Sequence, residues 1–137
     1  MGTTDRGGTG MGGTDARAGS GIFRVMLRMH IHQGQERDFE ETWYKVGHAI
    51  TEHPANLRQW LSRSDDEDGV YYVVSDWVDE PGFREFERSP EHLDHRTRLH
   101  PFRASASMVT MHVVCEMTGR ALLDGPPARP APSAAPR

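Results

Sequence analysis

A chain of 137 residues, 36% of them hydrophobic, holds one domain's worth of core. Its 16 basic and 20 acidic residues give a formal net charge of −4 with no basic block that would track a phosphate backbone, so nucleic acid is excluded as an expected partner. The N-terminus lacks the apolar stretch of a signal peptide and no run approaches the ~20 apolar residues that span a membrane, so a cytoplasmic protein without membrane contact is expected.

Residues 1–20, with GGTGMGG among them, are rich in Gly and Thr and too poor in apolar side chains to offset the entropy of ordering; they read as a disordered leader. The folded domain is expected over residues 21–118. It opens with IFRVMLRMHIH, where Phe23, Val25, Leu27, Met29 and Ile31 alternate with Arg24, Met26, Arg28, His30 and His32, the period of a strand. From Gln35 the period becomes helical: Phe39, Trp43, Val46 and Ile50 share one face, and His53-Pro54 ends the helix. NLRQWLSR and the Tyr- and Val-rich stretch from Val70 to Trp77, joined by the acidic turn SDDEDG, read as a hairpin. A short helical pair follows, EPGFREFERS and then SPEHLDHRTRLHPF, with Ser89 as N-cap and Pro90 at the first helical position. Ser105 to Met117 reads as a long last strand. The single cysteine, Cys115, rules out an intramolecular disulfide, fits a reducing compartment and reads as a buried thiol in that strand. Residues 119–137, Pro- and Ala-rich from Gly125 on, read as a disordered tail.

The order β-α-β-β-α-β is that of the ferredoxin-like split βαβ, an α+β fold with a four-stranded antiparallel sheet and its helices on one face. The second face is left without cover. Two copies packing sheet to sheet, a dimeric α+β barrel, would cover it, so a homodimer is expected.

Three clusters invite chemistry. MHIHQGQE offers His30, His32 and Glu36 as metal ligands, the pattern of one turn of a cupin barrel. Too few strands follow to build that barrel, and the helix beginning after Gly34 turns Glu36 away, so no metal is expected there. His92, His95 and Arg96 stand at i, i+3 and i+4, which puts two imidazoles and a guanidinium on one helical face. No HExxH pattern accompanies them, which leaves a solvated face or an acid/base role in a pocket. The third cluster is aromatic: Trp43, Trp60, Trp77, Tyr71, Tyr72, Phe83 and Phe86 supply a core and can also form a slot for a planar ligand. No phosphate loop or dinucleotide fingerprint lies in the folded part, so no NAD, FAD or ATP is expected.

YYVVSDW followed by DEPGFREFERSPEH, with Trp77, Phe83, Ser89 and His92, resembles the antibiotic biosynthesis monooxygenase (ABM) domains of the dimeric α+β barrel superfamily. NLRQWLSRS, SDW, FERS and SASM are most similar to the members encoded with aromatic polyketide synthases. The resemblance implies oxygenation of an anthrone or phenol to a quinone by dioxygen, without flavin, haem or metal. It implies His92, His95 and Arg96 as the proton-moving and anion-stabilising groups. Trp77, Phe83, Phe86, Trp43, Ser75 and Tyr71 would then line the substrate site. Two positions depart from the quinone-forming pattern: Val73 stands where those members carry Asn, and Phe83 where they carry Tyr. The polar work would then pass to Asn56, Gln59, Ser75 and the histidines. In the haem-degrading branch a Trp and a proximal His would fall at Phe86 and Arg96, neither of which can serve. A cyclase using histidine and arginine for aldol chemistry, and a non-catalytic binding protein, are the alternatives on the same fold.

Overall fold

The computed structural model describes residues 21–125. Alternating apolar residues give β1 (Phe23–Ile31), and the helical period gives α1 (Glu36–Thr51). The hairpin strands are β2 (Asn56–Arg63) and β3 (Val70–Trp77). Two short helices follow, α2 (Glu80–Glu87) and α3 (Pro90–Leu99). A 3-10 turn (His100–Phe102) leads into β4 (Arg103–His112), and a last short helix is α4 (Arg120–Leu123). Ser89 caps α3 by accepting a hydrogen bond from the His92 amide (3.2 Å), with Pro90 at the first helical position. Asp79 does the same for α2, accepting from the Gly82 amide at 2.8 Å.

The sheet runs β2-β3-β1-β4, antiparallel throughout, which is the ferredoxin-like arrangement. Odd-numbered residues of β1 and β3 face the helices. There they divide into two packed groups, one around Phe23, Val25, Ile50, Trp77, Phe83 and Phe86, the other around Met29, Ile31, Phe39, Val46, Tyr71 and Leu99. Among the described residues no helix is long and apolar enough to cross a membrane.

The last strand departs from its expected bounds. It begins at Arg103, which pairs with Ile31 across a bulge, and ends at His112, because its partner β1 begins at Phe23 and Phe23↔His112 is the last pair of the ladder. Beyond that point one more backbone hydrogen bond, from the Val113 amide to the Ile22 carbonyl (3.0 Å), closes the pairing. Cys115 consequently lies outside the strand and is exposed, where a buried strand thiol was expected. Of the expected tail, residues 119–125 are described and carry α4. The remainder of that tail and the expected leader, residues 1–20, lie outside the described residues.

On the opposite face of the sheet no described element packs. One end of it is polar: the fully buried Asp76 carboxylate accepts from Arg24 Nε and Nη2 (2.7 and 2.9 Å) and pairs with Arg58 at 3.3 Å. Both guanidiniums lie over the Trp60 ring, 5.8 and 5.7 Å from its centre.

Candidate active site

Between the two apolar groups lies a cavity of about 410 Å³, within the size range of small-molecule sites. The sheet forms its floor through Val25, Leu27, Met29, Val73 and Ser75. Trp43 from α1, Phe83 and Phe86 from α2, and His92, His95 and Arg96 from α3 form its roof and mouth. The helical spacing of the two histidines and the arginine thus brings all three to one cavity, as the sequence pattern allowed. Tyr71 stands elsewhere: it is buried in the second apolar group, its hydroxyl hydrogen-bonded to Glu40, and it does not line the cavity. Burial and the neighbouring Glu40 push that phenol up to about 12, so it stays protonated.

Trp77 is the aromatic hub. It is buried, packs against Phe83, Phe86 and His53 with ring centres 5.3, 5.0 and 5.8 Å away, and its indole nitrogen donates to Ser75 Oγ at 2.9 Å. Phe86 in turn meets His92 edge to face at 5.0 Å. The indole is therefore held by a satisfied hydrogen bond, and its ring is part of a rigid aromatic wall.

The polar groups are less satisfied. His92 Nδ1, His95 Nε2 and Gln59 Oε1 are buried and have no hydrogen-bond partner, and all three residues line the cavity. Leaving a buried polar atom unpaired costs roughly 1–3 kcal/mol, so these three atoms are the polar groups around the cavity that gain most from a hydrogen-bond partner. Burial lowers the His92 imidazole below its ordinary value, with the Arg96 charge acting in the same direction. Burial, helped by His92, lowers His95 to about 4. Both are neutral at pH 7, and each presents one donor and one lone pair. Arg96 is exposed at the mouth, with no carboxylate in salt-bridge reach among the described residues.

Gln59 is one of the residues expected to take up polar work, and its partner is set by the packing of β2 against α1. Its Nε2 donates to the Gly47 carbonyl of α1 at 2.9 Å. Gly47 is buried inside a helix, where glycine costs ~1 kcal/mol relative to alanine. A methyl group there would stand 3.3 Å from that nitrogen and 3.5 Å from the Trp43 ring. Asn56, the other named amide, points at the Asp76 carbonyl (3.4 Å) and is not among the lining residues.

His30 and His32 are both exposed at the far end of β1, and Glu36 accepts from the Gly34 amide at 2.9 Å. Among the described residues no group of three His, Cys, Asp or Glu side chains is placed to hold a metal.

A ferredoxin-like domain with an aromatic cavity, neutral imidazoles and unpaired buried acceptors defines a small-molecule site suited to proton transfer. The sequence profile of antibiotic biosynthesis monooxygenases matches residues 22–98, more than half the chain, and the protein belongs to that family. Membership supports monooxygenase activity in general terms. Solved structures agree on the fold. A variant of SnoaB, a cofactor-independent oxygenase from Streptomyces nogalater, superposes with a TM-score of 0.66 at 21% identity, over 72% of this chain and 99% of that one. Another SnoaB structure gives 0.63 at 23% identity, over 71% and 95%. A conserved protein from Methanosarcina mazei gives 0.63 at 10% identity, over 67% and 92%. No curated protein matches the chain in sequence.

Proposed function

We propose that the protein is a cofactor-independent monooxygenase that oxidises a polycyclic aromatic polyketide, an anthrone or phenol, to a quinone. The observation that carries this reading is the pair of neutral imidazoles, His95 buried and His92 half-buried, each with a buried unpaired nitrogen, in a cavity walled by Trp43, Trp77, Phe83 and Phe86. The aromatic wall holds a flat ring, and His92 or His95 takes a proton from it. Desolvation makes a buried imidazolium costly on its own, but proton transfer creates a phenolate or carbanion beside it, and the ion pair offsets that cost. Arg96 favours the same anion from the mouth.

The electron pair released by deprotonation passes to dioxygen and a C–O bond forms. The peroxide's O–O bond then breaks as the second C–H proton leaves. One oxygen stays as the quinone carbonyl and the other departs as water. No step in this sequence asks the protein for a redox group, since the substrate supplies the electrons. The protein is further proposed to work as a cytoplasmic homodimer built on the uncovered sheet face.

Val73 and Phe83 favour a second reading. They make the cavity less polar than the quinone-forming pattern, which suits a non-catalytic binding protein; an aldol cyclase would instead draw on the histidines and Arg96. Oxygen uptake by chelator-treated protein with an anthrone separates the readings: quinone formation with one dioxygen consumed is expected. A dehydrated or isomeric product from a linear polyketide would point to the cyclase, and no turnover of any phenolic polycycle would point to binding alone.

A further inference from the structure

Gln59 reaches the cavity from the sheet, whereas the histidines reach it from the covering helix α3. Its orientation is fixed by chemistry. A main-chain carbonyl can only accept, so the amide nitrogen must face Gly47 O, and the amide oxygen is left buried without a partner in a residue that lines the cavity. The absence of a side chain at position 47 leaves room for this contact, since a methyl group there would crowd the amide at 3.3 Å. An anchored oxygen of this kind accepts hydrogen bonds and does not donate them. It rewards a ligand hydroxyl and penalises an ether or carbonyl oxygen at the same place.

We propose that Gln59 is the specificity-determining residue of the site: its amide oxygen accepts a hydrogen bond from a free hydroxyl of the bound ring system, distinct from the position where the histidines act. This rests on the aromatic ligand class proposed above and adds a demand to it. The preferred ligand is a polycyclic phenol with a hydroxyl not already engaged in an internal hydrogen bond. Methylation of that hydroxyl would abolish recognition at this point while leaving the stacked area intact. Gln59 is a positioning residue and takes no part in proton transfer.

The test is anaerobic titration calorimetry with 2-naphthol and 2-methoxynaphthalene, so that binding is read apart from oxygen chemistry. The wild type is expected to bind the naphthol about tenfold more tightly than its methyl ether, the weight of one buried hydrogen bond. Gln59→Met should bring the two affinities together, weakening the naphthol and relieving the ether of its penalty. If this variant is poorly folded, Gln59→Lys retains a donor for Gly47 O, has no acceptor, and should likewise remove the preference. A preference that survives both substitutions overturns the assignment and leaves the oxygenase reading standing. A wild type that binds neither probe overturns both. Preference lost in the variants, with no oxygen uptake by wild type on any anthrone, supports Gln59 and sinks the oxygenase alone.

Discussion

At the residue scale, the decisive feature is that His92 and His95 are held uncharged by burial. If either is the base, His92→Ala or His95→Ala should lower turnover by roughly 10² or more, with folding nearly intact. Wild-type oxygen uptake in both variants would remove them from the mechanism. Their depressed values also set a pH dependence. A free-enzyme base titrating below 6.5 keeps kcat/KM flat through neutrality, so its acid limb should fall below pH 6.5 and move in the His95→Ala variant. Stability follows the same direction. The unfolded chain binds the His95 proton near 6.5 and the folded chain only near 4, so stability is full above about 6.5 and is lost as pH falls toward 4. That loss reaches about 3 kcal/mol for this group, and urea melts between pH 7 and 4 read it; His95→Ala should flatten the curve. The helical spacing of these histidines was legible in the sequence. Their desolvation was not, because it depends on Phe86 and the sheet floor, which come from elsewhere in the chain.

At the scale of elements, α2 is the wall that makes the cavity aromatic, and its seat on the sheet is tight. A methyl group on Gly82 would lie 2.6 Å from Ala55 Cβ and 3.0 Å from the capping Asp79 carboxylate. Gly82→Ala gains ~1 kcal/mol in helix propensity. It must also push the helix off Ala55, an overpacking cost of typically 1–3 kcal/mol that includes loss of the cap geometry. The clash involves carbon atoms fixed to backbone, so destabilisation should win, with a lower melting temperature by circular dichroism; an unchanged or higher one would show α2 to be loosely seated. Trp77→Ala should cost more, ~3–5 kcal/mol, because the indole is enclosed by rings on three sides. Period and capping made every strand and α1 to α3 readable in advance, Ser89-Pro90 included. The end of β4 was not readable, since it is set by where β1 begins. Nor was the Gln59–Gly47 bond, which joins a polar strand residue to a helix glycine twelve positions earlier and depends on how the two elements pack.

At the scale of the whole molecule, the face of the sheet turned away from the helices is the unsolved part of a single chain. Met26, Val74 and Trp60 lie side by side in the register of β1, β3 and β2, with Val109 opposite Met26 on β4. Trp60 and Val109 are 43% and 54% exposed, large apolar groups that a second copy would remove from water. The Arg24–Asp76–Arg58 cluster beside them is already neutralised in part within the chain, so it can be covered at lower cost than separate charges. A homodimer with twice the 15.4 kDa chain mass is therefore expected by light scattering at micromolar concentration. Val74→Asp tests the face itself. Its side chain points away from the cavity, so the domain should fold with an unchanged far-ultraviolet spectrum, but two carboxylates would be buried at the centre of the seam without partners. The variant should be monomeric. A monomeric wild type would remove the sheet-to-sheet barrel, and a Val74→Asp protein that stayed dimeric would place the contact elsewhere, with the exposed edge of β4 as the next surface to vary.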